Sequence, residues 1–219
     1  MSQSTLLRLM TLLSPSFPVG GFAYSSGLEQ AVADQLVTDN TTLGDWLVSI
    51  VQRGSIWNDA VLLAESHRRV GNGKSIAEIA DLAEALAGSK ERHLEQQNLG
   101  SAFIDAVKAS GLIMPPSIGD RAAYPVAIGA IAAAQGLDLE SALGAFLHAY
   151  VSNQIQCAIR LGVLGQNGGV ALLASLEPVI LETARQANLS TLDDLGASSL
   201  MADISAMRHE TLYSRIFRS

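Results

Sequence analysis

The chain has 219 residues, of which 48% are hydrophobic and 16% are charged. This composition excludes an intrinsically disordered chain, which is poor in apolar residues and rich in charge. Its 14 basic and 21 acidic residues give a net charge of −7, which argues against nucleic-acid binding, because holding phosphates requires a basic face.

The sequence also carries signals about the cell compartment. Cys157 is the single cysteine, so no internal disulfide can form and a reducing, cytoplasmic location is expected. The N-terminal apolar stretch is short, and Arg8 is its only early positive charge, unlike a signal peptide. The longest uncharged run, residues 141–159, contains several polar side chains that a bilayer core could not satisfy. We therefore expect no membrane partner.

Apolar residues recur at helical spacing along most of the chain. Two stripes at positions i, i+3, i+4, i+7 and i+8 predict one helix around residues 43–51 and another around residues 143–151. Their members are Leu43, Trp46, Leu47, Ile50 and Val51, and Leu143, Phe146, Leu147, Tyr150 and Val151. The alternation expected of a half-buried strand is not sustained anywhere. The sequence predicts an all-α, single-domain helical bundle.

Helix boundaries are indicated by capping residues and breaks. Ser75 with Glu78 predicts a capping box opening a helix over Ile76–Leu86, and Ser190 with Asp193 predicts a second box. Pro178 lies inside a helical pattern and is expected to kink that helix or to start a new one. The breaks themselves are short, as in helical bundles; they fall at residues 14–21, 71–73, 111–116 and 165–169.

Two motifs for catalysis or metal binding begin but are incomplete. Gly73-Lys74-Ser75 matches the end of a phosphate-binding loop, but the first glycine position holds Arg68, so a turn and helix cap is the better interpretation. His209-Glu210 begins a zinc-protease motif whose second histidine position holds Tyr213. No catalytic residue, metal ligand or cofactor is predicted for this chain alone, although a metal site shared between chains stays open.

The four histidines and the cysteine receive structural interpretations. The histidines are scattered and lack ligand-type partners at helical spacing, so we expect most of them at the surface. Cys157 shares a helical face with Leu143 and Val151, which favours an inert core thiol over a nucleophile.

The segment Leu13–Glu29 is unusual, because it holds two prolines, two adjacent glycines and three aromatic residues. The prolines restrict φ and the glycines permit positive φ, which predicts a defined turn before a new helix. A rigid helix connection explains this pattern as well as a binding loop does. The aromatic residues Phe17, Phe22 and Tyr24 would cover the core in the first case and contact a partner in the second.

The C-terminal residues 208–219 are also unusual. They carry three arginines and one glutamate, a net charge of +2, which leaves −9 on the preceding residues. Leu212, Tyr213, Ile216 and Phe217 recur there at helical spacing. Arginine and tyrosine are enriched at interface hot spots. A last helix docked on its own domain and a segment that orders on a partner explain the pattern equally well.

These two segments resemble the conserved ends of the UreF family of urease accessory proteins. The first matches Leu-Ser-Pro-x-x-Pro-Val-Gly-Gly-Phe-x-Tyr-Ser-x-Gly-Leu-Glu from Leu13 to Glu29, and the second matches the Arg-His-Glu-Thr and Tyr-Ser-Arg stretches and the final Phe-Arg-Ser from Arg208 to Ser219. Residues 124–127, 160–161 and 164–166 also resemble family segments. The resemblance spans nearly the whole chain and is looser over residues 54–120. Val163 replaces an expected proline, which affects only the local turn.

The resemblance implies an all-helical homodimer that is not itself an enzyme. It implies binding to UreD (also called UreH), recruitment of the GTPase UreG, and delivery of nickel to apo-urease. Nickel is then handled by the complex rather than by this chain. Two rival functions stay open: direct activation of the GTPase through Arg208 or Arg215, and direct nickel carriage at a dimer axis.

The resemblance also assigns regions. Residues 1–206 correspond to the helical domain, and residues 207–219 to a partner-binding tail that orders against UreD. The tail residues expected to anchor that partner are Arg208, His209, Glu210, Tyr213, Arg215, Phe217 and Arg218. The loop expected at the dimer or GTPase-recruiting surface contains Pro15, Pro18, Gly20, Gly21, Phe22, Tyr24, Ser25, Gly27 and Glu29.

Overall fold

The computed structural model describes residues 3–219, which form ten α-helices and two 3₁₀ turns and contain no strand. The helices are α1 (Gln3–Leu12), α2 (Leu28–Ala33), α3 (Asn40–Arg53), α4 (Ser55–Gly71), α5 (Ala77–Ala85), α6 (Lys90–Ala109), α7 (Tyr124–Ala134), α8 (Leu139–Arg160), α9 (Gln166–Leu189) and α10 (Leu200–His209). The 3₁₀ turns are Gly21–Ala23 and Leu192–Asp194. The all-α prediction is confirmed.

Helices α4 and α7 form the centre of the bundle. Every residue of α7 from Pro125 to Ala132 is buried, so this helix has no polar face. Gly129 allows α7 to lie directly on α4, because a Cβ there would be 2.2 Å from the carbonyl oxygen of Leu63. The backbone of Gly100 in α6 lies equally close to the backbone of the segment before α7. Such close backbone contact excludes any side chain.

The two helices predicted from apolar stripes are present as α3 and α8. In α3, Leu43, Leu47, Ile50 and Val51 are buried, and Trp46 is half-buried. The α8 stripe is likewise buried apart from the half-buried Tyr150. A stripe this wide faces the core because burying it removes apolar surface from water.

The capping box predicted from Ser75 and Glu78 is wrong. Helix α5 begins at Ala77, and the Ser75 hydroxyl accepts a hydrogen bond from the Ala77 amide at 3.2 Å. The Glu78 carboxylate instead pairs with Arg69 of α4 at 3.0 Å. The capping box required this carboxylate, but it forms a charge-assisted hydrogen bond with the neighbouring helix instead.

The second predicted box forms one residue later than expected. Thr191 and Asp194 make it at the 3₁₀ turn, while the Ser190 hydroxyl donates to the carbonyl of Ala187 at 2.7 Å. Ser190 is the C-cap of α9, so its hydroxyl satisfies a terminal carbonyl instead.

Helix α9 continues through Pro178 and does not restart there. Proline removes the donor for the carbonyl four residues earlier, that of Ala174. Both residues lie on the exposed face of the helix, where water can satisfy that carbonyl. The break predicted at residues 165–169 lies earlier, at residues 161–165, since α8 ends at Arg160 and α9 begins at Gln166.

Within residues 3–219, no helix combines the length and the apolar character that a membrane crossing demands.

Candidate functional site

The two unusual segments of the sequence lie against each other in the structure. The Ser25 amide donates to the Ser219 carbonyl oxygen at 2.8 Å, and the Arg218 amide donates to the Ala23 carbonyl oxygen at 2.8 Å. The Ser25 hydroxyl also donates to the Ser219 oxygen. The N-terminal turn (residues 13–29) and the C-terminal tail (residues 207–219) therefore form one unit.

Glu29 is the main acceptor for the tail. Its Oε1 accepts a hydrogen bond from the Ile216 amide at 2.7 Å, and its Oε2 accepts one from the Phe217 amide at 3.0 Å. The same Oε2 lies 3.1 Å from Nε2 of His209. Glu29 is only 6% exposed, so these donors replace the water that its carboxylate has lost.

His209 is completely buried between two carboxylates. Its second ring nitrogen, Nδ1, lies 2.6 Å from Oε2 of Glu91 in α6. The other oxygen of Glu91 accepts a hydrogen bond from Arg215 at 2.5 Å. The tail is thereby linked to both α2 and α6.

The expectation that most histidines lie at the surface is wrong. His148 is exposed, but His67 and His93 are half-buried and His209 is fully buried. The ring of His67 lies 2.8 Å from the carbonyl oxygen of Leu137. Polar partners on distant elements allow a histidine to be buried, and spacing along the sequence does not show them.

A third carboxylate, that of Glu95 in α6, joins the turn to the tail. It accepts hydrogen bonds from the hydroxyls of Ser26 at 3.1 Å and Ser219 at 2.9 Å. Arg92 pairs with Glu95 at 2.9 Å and also with Asp59 of α4. Burial raises the pKa of Asp59, and Arg92 opposes that rise.

Helix α8 holds the turn from the other side. Asn153 donates to the carbonyl oxygens of Gly21 at 3.2 Å and Tyr24 at 3.3 Å. Arg160 donates to the carbonyl oxygen of Phe22 at 2.6 Å, and its guanidinium carbon lies 4.3 Å from the ring centre of Phe217. Arg160 thus contacts the turn and the tail at once.

The predicted turn residues divide into inner and outer groups. Tyr24, Ser25, Gly27 and Glu29 are buried, Gly20 and Gly21 are half-buried, and Pro15, Pro18 and Phe22 are exposed. Gly27 has φ +84°, and a Cβ there would lie 2.8 Å from the Ala206 amide nitrogen of α10. Of the aromatic residues, Phe17 packs on Phe103 with ring centres 5.3 Å apart, whereas Phe22 is 69% exposed.

The predicted tail residues divide in the same way. His209 and Phe217 are buried, whereas Arg208, Glu210, Tyr213, Arg215 and Arg218 are exposed. Tyr213 is fully exposed. Arg208 pairs with Asp34 at 2.5 Å, so this guanidinium and that of Arg215 both have acidic partners within the chain. The partner-binding role of these residues stays a prediction.

Two acidic residues of α6 and the aspartate behind them were not predicted from the sequence. Glu91, Glu95 and Asp59 lie in the region where the family resemblance is loosest. One signal was available: Glu91 and Glu95 are four residues apart, which places both carboxylates on one helix face. Identifying their partners required the tertiary structure.

Cys157 is 1% exposed, and burial raises its pKa to about 12. At pH 8 only about 1 in 10⁴ thiols is then ionised. We expect iodoacetamide at pH 8 to leave the native protein unmodified for hours and to alkylate the guanidinium-unfolded chain within minutes, as measured by intact mass. Rapid alkylation of the native protein would contradict the assignment of an inert core thiol.

No group of three or more histidine, cysteine, aspartate or glutamate side chains in residues 3–219 is arranged to hold a metal ion.

Comparison with known proteins shows similarity over nearly the whole chain. The UreF family model matches residues 37–177. Urease accessory protein UreF of Rhizobium johnstonii is 56% identical over 214 residues, covering 98% of this chain and 96% of the relative. Urease accessory protein UreF of Mesorhizobium japonicum is 54% identical over 218 residues, covering 100% and 98%. Urease accessory protein UreF 1 of Brucella canis is 54% identical over 220 residues, covering 99% and 95%.

Proposed function

The chain belongs to the UreF family of urease accessory proteins, and we propose that it is the adaptor of a nickel-delivery assembly. It is an accessory protein in urease maturation and not an enzyme. In this proposal it works in the cytoplasm, binds a UreD-type protein (UreD is also called UreH), and as a homodimer recruits the GTPase UreG to apo-urease. Nickel is the cargo of the complex.

The observation that carries this proposal is the unit formed by the turn and the tail. Its inner side is fixed by Glu29, Glu91 and Glu95. Phe22 of the turn and Tyr213 of the tail are exposed to solvent. Aromatic residues and arginine dominate binding energy at protein interfaces. A backbone already held in place loses less conformational entropy on binding, so this surface is suited to a protein partner.

An adaptor can control nickel transfer without holding the metal itself. It can change the timing of nickel transfer only if it binds one nucleotide state of the GTPase more tightly than another. The shift in the equilibrium between those two states is then set by the difference in their affinities for the adaptor. Exposed apolar residues on α1 support the homodimer, because they offer surface to a second copy. They are Leu6, Leu7 and Met10.

Tyr213→Ala tests the partner surface. Its side chain is fully exposed, so the free energy of unfolding should change by less than about 0.5 kcal/mol. The affinity for a UreD-type partner should fall about 10-fold or more, the loss typical of a hot-spot aromatic residue. Isothermal titration calorimetry gives the affinity, and light scattering after size exclusion gives the mass of the complex.

The matched control is Leu181→Ala, since Leu181 is 65% exposed on α9 and distant in sequence from both segments. This variant should bind the partner like the unmodified chain. If Tyr213→Ala combined with Phe22→Ala binds with unchanged affinity, the partner interface does not lie on the turn and the tail. These point variants are expected to stay folded, because they change exposed side chains. Truncation at Ala206 would instead remove the buried His209 and leave two carboxylates without their partner.

A further inference from the structure

Glu95 lies where the turn, the tail and the bundle centre meet. Its side chain is 5% exposed. One oxygen accepts a hydrogen bond from Ser26 of the turn, and the other accepts one from the terminal Ser219 at 2.9 Å. These two donors are 193 residues apart in the sequence, so Glu95 joins two segments that are distant along the chain.

The carboxylate is held in place from behind. Arg92, one helical turn before it, pairs with Glu95 and reaches Asp59 on α4. Gln96 donates to both carboxylate oxygens of Asp59 at 2.9 Å. Since α4 is the central helix of the bundle, Glu95 is anchored to the most buried part of the fold.

The backbone at Ser26 needs this support. Ser26 has φ +51°, a left-handed conformation that costs a residue other than glycine roughly 1 kcal/mol. Two neighbouring amides hold the last residue at this point: the Ser25 amide donates to the carbonyl oxygen of Ser219 at 2.8 Å, and the Ser26 amide donates to its hydroxyl at 3.3 Å. The Glu95 carboxylate accepts a hydrogen bond from the Ser26 hydroxyl, and this bond offsets the conformational free energy that the left-handed backbone costs.

We propose that Glu95 is a positioning residue: it holds Ser26 in its left-handed conformation and so sets the turn and the end of the tail in register. Its hydrogen-bond donors come from the two outer segments, whereas its anchor comes from the core. Losing the carboxylate therefore loosens those segments while α4, α7, α8 and α9 stay packed. The consequence for partner binding rests on the proposed function.

The test is amide hydrogen exchange of the full chain carrying Glu95→Gln, which keeps the side-chain size and removes the charge. We expect exchange at Ser25, Ser26 and Arg218 to accelerate about 10-fold or more, since hydrogen bonds to a charged group are lost. The control is Leu172→Ala, a buried change in α9, the helix that packs on α3, α4 and α8; it is expected to lower global stability. Equal acceleration in both variants, or none in Glu95→Gln, would overturn the proposal.

A rescue variant separates positioning from a general contribution to stability. Glycine adopts positive φ without cost, so adding Ser26→Gly to Glu95→Gln should recover at least about a third of the lost protection at Ser25 and Arg218. A carboxylate that only stabilised the fold would give no such recovery, and that result would count against positioning.

The partner titration is a separate arm. If Glu95→Gln loosens both segments and weakens binding of the UreD-type partner about 10-fold, both the positioning role and the proposed function are supported. If the segments loosen while affinity is unchanged, the positioning role stands and the partner site lies elsewhere. The exchange measurement requires no partner, so the two failures are distinguishable.

Discussion

Replacing Glu29 by alanine is expected to release the tail and to lower the free energy of unfolding by about 3 kcal/mol. The change removes the acceptor of the Ile216 and Phe217 amides and one of the two carboxylates facing His209. His209 is fully buried, so water cannot replace the lost partner unless the tail moves. Undocking of the tail should then weaken binding of a UreD-type partner about 100-fold.

Guanidinium unfolding and calorimetric titration measure these two effects. The matched control is Glu182→Ala on α9, where the carboxylate pairs with Arg185 at the surface. That loss should stay below about 0.5 kcal/mol, because exposed ion pairs contribute little. If Glu29→Ala is no more destabilising than Glu182→Ala, Glu29 does not hold the tail.

Gly129→Ala should destabilise the protein by about 3 kcal/mol or prevent folding altogether. Two effects of opposite sign compete at this position. Alanine is favoured over glycine inside a helix by about 1 kcal/mol. The new Cβ, however, would lie 2.2 Å from the Leu63 carbonyl oxygen, and this neighbour is backbone that cannot rotate away. Separating α4 from α7 opens the core, so the steric cost is the larger effect.

Gly144→Ala in α8 is the control with the opposite sign. A Cβ at Gly144 meets nothing within 4 Å, so only helix propensity acts and stability should rise by about 0.5 to 1 kcal/mol. Thermal and guanidinium unfolding of both variants measure the difference. A Gly129→Ala variant as stable as Gly144→Ala would contradict the direct contact between α4 and α7.

Local pattern was sufficient for the helices that carry a wide apolar stripe. Leu43 and Leu47 indicated α3, and Leu143 and Leu147 indicated α8, because a helix buries one face whatever it packs against. The predicted capping boxes were wrong or misplaced, because other hydrogen-bond partners compete for the side chains that would form them. The Glu78 carboxylate pairs with Arg69, which lies on another helix. The Ser190 hydroxyl donates to a carbonyl at the C-terminal end of α9.

The sequence by itself determined the all-α class, the family resemblance at both ends and the unusual character of residues 13–29 and 208–219. Those features depend on neighbours along the chain: helical periodicity, proline and glycine content, and local charge. Only the tertiary structure decided that the two segments contact each other and that Glu29, Glu91 and Glu95 hold them. The contacts of these three carboxylates with the tail join residues more than 100 positions apart, and a buried carboxylate is stable only when the whole fold brings its donors to it.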